Sequence, residues 1–165
     1  MKNRNLQRII GILLTVSVMV IIFLMSAQNA KISSNTSGSF IAFFAKILTP
    51  DFNNLSIEQQ ALIISSYQFV VRKMAHFTIY LCLGLASSVF TFTLDKLKRI
   101  YQYMLSASIA LLYAISDEIH QLYVPGTVGA IKDVIIDFLG TLTGLLLLFL
   151  LLSIIKKIKN KKSVE

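Results

Sequence analysis

Hydrophobic residues dominate four long stretches of this chain, and most charged residues lie between these stretches or at their ends. The stretches run from Ile9 to Met25, from Phe69 to Phe92, from Ile100 to Tyr123 and from Ile131 to Ile155. Each reaches the roughly 17–25 residues that an α-helix needs to cross the hydrocarbon core of a bilayer. The alternating pattern of a barrel strand is absent from them. The sequence therefore predicts an all-α, polytopic membrane protein with four transmembrane helices.

The connection between the first two stretches, from Ala27 to Gln68, contains two shorter helical patterns. The segment SFIAFFAKILTP is too short to span, but its apolar residues recur at helical spacing, which predicts a helix lying in the membrane interface. These residues are Phe40, Phe43, Phe44, Ile47 and Leu48. The segment SIEQ, residues Ser56–Gln59, has the form of a capping box and predicts the start of another short helix. A partly ordered loop fits the same connection equally well.

Length and composition predict one membrane domain over residues 1–165. Hydrophobic residues make up 55% of the chain, more than a soluble domain of this size normally contains. The single cysteine, Cys82, excludes an intrachain disulfide, and its apolar neighbours indicate a packing residue. The first stretch exceeds the core of a signal peptide, about 7–15 residues, and lacks a clear cleavage site, so we expect a retained helix.

The lysines and arginines predict the orientation of the helices. The chain has a net charge of +8, and its basic residues flank the apolar stretches, which favours anionic lipid headgroups rather than nucleic acid as their partners. Eleven of the 16 would share one side: Lys2, Arg4, Arg8, Lys96, Lys98, Arg99, Lys156, Lys157, Lys159, Lys161 and Lys162. The positive-inside rule then predicts a plasma-membrane protein with both termini in the cytoplasm.

Ionisable and polar residues from three of the predicted helices fall at the end expected outside. On each helix several of them share one face at 100° per residue. The fourth helix continues this face into Gly140 and Gly144, a GxxxG pattern that permits close helix packing. We therefore predict an outward-facing polar pocket that binds a ligand through Arg72, Lys73, His76, Tyr80, Asp117, Glu118, His120, Gln121, Asp133 and Asp137.

The energy of burying charge supports this inward orientation. A charged side chain at the bilayer centre costs roughly 2.5–3.5 kcal/mol on insertion scales, so charges on neighbouring helices should face each other. The alternative is that these charges only pair during assembly or reach the headgroups by snorkelling. The spacings Asp117-x-x-His120 and Asp133-x-x-x-Asp137 could share a metal, but such short spacings are common, and we predict neither a metal site nor a cofactor.

Three segments resemble the signature blocks of the VanZ-like family of bacterial membrane proteins: RKMAHFTIYLCLG, SDEIHQLYVPG and KDVIIDFLG. The segment SAQ, Ser26–Gln28, is similar to a weaker motif after that family's first helix. The resemblance implies a small helical protein of the cell envelope, linked to low-level resistance to teicoplanin, a glycopeptide. It also implies that the ten pocket residues are the recurring polar ones. Two positions depart from the family pattern: Thr127 follows Pro-Gly where an Arg is common, and Ile79 precedes the Tyr where a Glu is common.

Three functions fit these residues. In the first, Arg72 and Lys73 hold the phosphate or carboxylate of a lipid-linked envelope precursor or an anionic envelope polymer, which the protein binds or remodels. In the second, His120 with Asp117 and Glu118 serves acid–base chemistry in a membrane-embedded hydrolase or transferase, with or without a metal ion, that acts on lipid-linked precursor; no Ser or Cys nucleophile motif accompanies it. In the third, the charges serve assembly alone.

Overall fold

The computed structural model describes residues 2–27, 41–125 and 129–162, and within these ranges it is all-α. The four long helices are α1 (Lys2–Ser26), α3 (Ile57–Thr91), α4 (Arg99–Gln121) and α5 (Ile131–Lys162). A shorter helix, α2, covers residues 41–48, and one 3-10 turn covers Phe52–Asn54. The predicted all-α fold is therefore confirmed.

Three of the described helices are long and apolar enough to cross a membrane. They are α1, α3 and α5, with candidate spans Asn3–Ser26, Ile57–Thr91 and Ile131–Lys161. The fourth long helix, α4, has 23 residues, but it buries polar side chains that include Gln102, Ser106 and Asp117. Length and composition thus indicate a membrane protein with three candidate spans among the described helices, and the predicted count of four spans stays a prediction.

The boundaries of α3 correct one prediction. Ser56 forms the expected capping box, since its Oγ accepts from the Gln59 backbone N–H at 3.3 Å and its own N–H donates to Gln59 Oε1 at 3.1 Å. This cap does not open a separate short helix; it opens the 35-residue α3 itself. No Gly or Pro occurs between Ile57 and Phe69 to break the helix, and so the span predicted to begin at Phe69 begins three turns earlier.

The short helix α2 agrees in position with the amphipathic segment predicted in the first connection. Ile41 and Ala45 are buried on one face, whereas Phe43, Ile47 and Leu48 are exposed. Phe40, the first residue of the predicted pattern, lies outside the described residues. The interfacial location of α2 stays a prediction.

Glycines allow α3 and α5 to pack backbone against backbone. A Cβ added at Gly144 would lie 2.5 Å from the carbonyl oxygen of Leu81, and one added at Gly140 would lie closer still to that of Phe77. On the opposing helix, a Cβ at Gly84 would lie 2.8 Å from the carbonyl oxygen of Thr141. The predicted GxxxG contact is therefore present, and α3 is its partner.

The interior of the bundle combines polar with apolar side chains, and its exterior is apolar, as expected for helices packed in lipid. Ser87, Thr91, Ser106 and Thr141 are completely buried, while large apolar side chains on every long helix are exposed. The Thr91 and Ser106 hydroxyls lie 2.7 Å apart and join α3 to α4. Interhelical hydrogen bonds of this kind help to hold helices together in a bilayer, where the hydrophobic effect does not drive their association.

Candidate functional site

An ion pair joins α3 to α5 at one end of the bundle. The Lys73 ammonium contacts the Asp133 carboxylate, and both side chains are about five-sixths buried, with 17% of each exposed. This contact places Lys73 and Asp133 at the same level on the two helices. The adjacent residues Arg72 and Lys132 are exposed. We call the Lys73–Asp133 pair together with Arg72 and Lys132 the rim.

One helical turn deeper, the same two helices bring His76 against Asp137. His76 Nδ1 lies 3.8 Å from Asp137 Oδ1, which is too long for a hydrogen bond. Asp137 is only 1% exposed, and its Oδ2 has no hydrogen-bond partner among the described residues. A carboxylate this deeply buried is costly unless a cation, a proton or a donor meets it.

The helix α4 adds Asp117 to the same place, and α1 contributes Ser26. Asp117 Oδ2 accepts from the Ser26 hydroxyl at 2.9 Å and from the Gln121 side-chain amide at 3.3 Å. Asp117 Oδ1 is buried and meets no partner within the described part of the chain. One ligand atom from each of His76, Asp117 and Asp137 can be chosen so that all three lie within 4.8 Å of one another. We call these three residues the buried cluster.

Tyr80 lies one turn below His76 on α3 and is completely buried. Its hydroxyl also lacks a hydrogen-bond partner among the residues that the structure describes. Its ring lies 6.4 Å from that of Tyr113, whose own hydroxyl donates to the carbonyl oxygen of Met19 on α1. Tyr113 is thus engaged in helix packing, whereas the Tyr80 hydroxyl keeps its hydrogen-bonding capacity.

Glu118 and His120 lie near the buried cluster without belonging to it. Glu118 Oε2 accepts from the Ala130 backbone N–H at 2.8 Å, so Glu118 ties the end of α4 to the start of α5. The His120 ring stacks on Phe23 of α1, with centroids 4.6 Å apart. Helical spacing predicted that His120 lies on the polar face of α4, but its ring packs against Phe23 at the contact between α4 and α1.

Of the two positions at which the sequence departs from the family pattern, the structure describes one. Ile79 is partly buried and packs against the apolar core of the bundle. Thr127 lies outside the described residues. The core contact of Ile79 gives it a packing role beside the site.

Ser26 is the site residue that sequence reasoning missed. It lies in the last turn of α1 and is 5% exposed, and its hydroxyl is the donor that fixes Asp117. The signal was available, because Ser26 opens the SAQ segment that follows the first apolar stretch. A lone serine at the end of an apolar helix carries little information until its partner on α4 is known.

Among the buried and largely buried charges of the site, the acids outnumber the bases. Four carboxylates occur there, from Asp117, Glu118, Asp133 and Asp137, against the Lys73 ammonium and the His76 imidazole. Lys73 is already paired with Asp133. The buried cluster is therefore suited to bind a cation or to exchange protons, while the exposed cations of the rim suit an anion.

The family comparison covers the whole of this site. A family model described as VanZ/LLP1 matches residues 11–152, a range that includes Ser26, the rim and the buried cluster. No curated protein and no solved structure matches the chain significantly. The match confirms the resemblance to the VanZ-like family, and the chain belongs to the VanZ/LLP1 family.

Proposed function

We propose that α4 crosses the membrane together with α1, α3 and α5, giving four spans with both termini in the cytoplasm. The 23 residues of α4 extend for about 35 Å, enough for a hydrocarbon core of about 30 Å. Its buried polar residues are Gln102, Ser106, Asp117 and Glu118. Its exposed residues include Leu112, Ile115 and Ile119. The contact between Arg4 and Asp95 supports a common side of the membrane for the start of α1 and the α3–α4 connection. A common side is expected when α1 and α3 each cross the membrane once.

Cysteine accessibility tests this topology. In a Cys82→Ser background, Tyr123→Cys should react with a membrane-impermeant maleimide on intact cells, because Tyr123 is 81% exposed beyond the end of α4. The matched variant Lys98→Cys, at the other end of α4, should react only after permeabilisation. Equal labelling of both positions on intact cells would contradict the four-span arrangement.

In this orientation the rim lies in the outer leaflet, and the protein engages an anionic, lipid-linked component of the bacterial cell envelope there. The observation that carries this proposal is the Lys73–Asp133 pair, because it aligns the exposed Arg72 and Lys132 at one level on neighbouring helices. Two such cations can hold a phosphate or carboxylate by charge-assisted hydrogen bonds. The buried carboxylates below repel an anion, so the ligand binds at the rim.

Binding there changes the amount of glycopeptide captured at the cell surface, which gives the protein a role in susceptibility to drugs of the teicoplanin class. Masking or moving a lipid-linked precursor alters what the drug can reach outside the membrane. This mechanism needs no covalent step. It requires that the two rim cations are accessible from the exterior.

Charge removal at the rim tests the role. The double variant Arg72→Gln, Lys132→Gln should lose the change in teicoplanin binding that the wild-type protein confers on a susceptible host, measured per cell at equal protein abundance. The control is Lys98→Gln, which removes an exposed charge at the opposite end of the bundle. Unchanged drug binding in the double variant would refute the rim as the ligand site.

The buried cluster supports a second candidate, a membrane-embedded hydrolase or transferase acting on lipid-linked envelope precursor. His76 faces Asp137 at 3.8 Å, and an imidazole beside carboxylates is suited to general acid–base catalysis. The histidine that this candidate requires is thus His76 rather than His120. Turnover of lipid-linked precursor by purified protein, lost in His76→Gln and kept in His120→Gln, would support it; absence of turnover in the wild type would oppose it.

A further inference from the structure

The buried cluster contains more acceptors than the described residues satisfy. Asp137 and Asp117 are 1% and 3% exposed, and each has one carboxylate oxygen without a hydrogen-bond donor in the described ranges. The Lys73 ammonium is engaged by Asp133. The negative charges of the two buried carboxylates are therefore not neutralised by a neighbouring lysine or arginine. In proteins, a bound proton or a bound metal ion neutralises such a charge.

The geometry favours a metal ion over a simple histidine–carboxylate pair. At 3.8 Å, the His76–Asp137 separation is too long for a hydrogen bond, yet it is close to the separation of neighbouring ligand atoms around one ion. Ligand distances of about 2.0–2.2 Å place tetrahedral ligand atoms roughly 3.4 Å apart. The complete set of three atoms lies within 4.8 Å, so a small inward adjustment of side chains suffices.

We propose that His76, Asp117 and Asp137 bind one divalent transition-metal ion between α3, α4 and α5. One imidazole nitrogen and two carboxylates form a donor set suited to Zn²⁺ or Mn²⁺, and their two negative charges neutralise the ion. Among divalent ions the affinity should follow the order Zn²⁺ over Mn²⁺ over Mg²⁺, because an imidazole ligand disfavours the hardest cation.

The second layer of contacts is consistent with a metal site. Ser26 and Gln121 donate to Asp117 Oδ2, whereas Asp117 Oδ1 is buried and has no donor among the described residues. Ligating carboxylates are commonly oriented by such hydrogen bonds. Three protein ligands leave further coordination positions for water or for an oxygen of a bound molecule. The inference concerns the buried cluster and stands or falls separately from anion binding at the rim.

Metal analysis of purified full-length protein tests the proposal. After equilibrium dialysis against micromolar Zn²⁺, the wild-type protein should hold one ion per chain by mass spectrometry of the metal. Asp137→Asn and Asp117→Asn should each lower the retained metal at least tenfold. The control His120→Ala removes the chain's other histidine, which lies outside the buried cluster with its ring stacked on Phe23, and this variant should keep the ion.

A second measurement removes the dependence on folding of the variants. Zn²⁺ should raise the unfolding temperature of the wild-type protein, with a smaller rise for Mn²⁺ and none for Mg²⁺ at equal concentration, because binding to the folded state alone stabilises it. A wild-type protein that retains no metal and shows no thermal shift would overturn the proposal and assign protons to the carboxylates. Equal metal content in wild type and folded Asp137→Asn would overturn it as well.

Discussion

Substitution of Gly144 by Ala tests the backbone contact between α3 and α5. The new Cβ would lie 2.5 Å from the carbonyl oxygen of Leu81, whereas carbon–oxygen contacts between helices normally lie at about 3.3 Å or more. The two helices must therefore separate by roughly 0.8 Å at this level. The neighbour is backbone, so no flexible side chain can absorb the clash.

Two opposing effects set the magnitude. Overpacking at a tight contact costs about 1–3 kcal/mol, and a rigid backbone neighbour favours the upper part of this range. Replacement of Gly by Ala in a helix returns about 0.5–1 kcal/mol of intrinsic propensity. The packing cost wins, and we expect the free energy of unfolding to fall by about 2 kcal/mol.

The response of Gly140 should be coupled to that of Gly144. Both glycines lie on the same face of α5, one turn apart, and both oppose backbone atoms of α3. One separation of the helices relieves both clashes, so the double Ala variant should lose about 1 kcal/mol less than the sum of the two single variants. A strictly additive double variant would mean that each site relaxes locally.

Unfolding by SDS in mixed micelles measures these changes, with the fluorescence of the six tyrosines as the signal, since the chain has no tryptophan. Leu146→Phe is the control, because it enlarges a neighbouring side chain that is 56% exposed and should leave the midpoint unchanged. A Gly144→Ala protein as stable as the wild type would refute the close packing of α3 on α5.

Three further predictions concern single hydrogen-bonding groups. Ser26→Ala removes the shorter of the two hydrogen bonds to Asp117 Oδ2 and should lower the free energy of unfolding by about 1–3 kcal/mol in the SDS titration, because a hydrogen bond to a buried carboxylate is lost; an unchanged midpoint would contradict a stabilising contact between α1 and α4 at Ser26. Ser56→Ala removes the cap that Gln59 completes and should cost about 1 kcal/mol, seen as faster amide exchange in the first turn of α3; unchanged exchange would contradict the cap. Tyr80→Phe removes a buried hydroxyl without a described partner, so metal-free protein should gain up to about 1 kcal/mol in thermal unfolding, and a loss of stability would reveal a hydrogen bond to that hydroxyl.

The sequence predicted the helices well because crossing a bilayer imposes a minimum length that is visible in any apolar run. The same rule failed at the start of α3, since the amphipathic residues between Ile57 and Phe69 extend the helix without adding to the apolar run. The capping box at Ser56 marked the true start. The capping box can be read from four neighbouring residues, and the absence of Gly and Pro after it shows that the helix can continue from there into the apolar stretch.

The faces of the site were predictable, but the pairings across helices were not. Helical periodicity places His76 and Asp137 on inward faces, yet their contact depends on the rotation and register of α3 against α5. That register is fixed by close backbone packing at Gly140, which only the folded bundle reveals. Arg72 and Lys73 are adjacent in sequence, and the packing alone decides that Lys73 faces Asp133.

The contribution of α5 to the site has a consequence for biosynthesis. α3 and α4 are synthesised before α5, so Lys73 and Asp117 are made before Asp133 and Asp137. In the proposed four-span arrangement, an uncompensated charge within the bilayer costs roughly 2.5–3.5 kcal/mol, which discourages release of these two helices into lipid. We expect both helices to remain beside the insertion machinery until the last one emerges, and a nascent chain stopped before Ile131 to be degraded by membrane proteases.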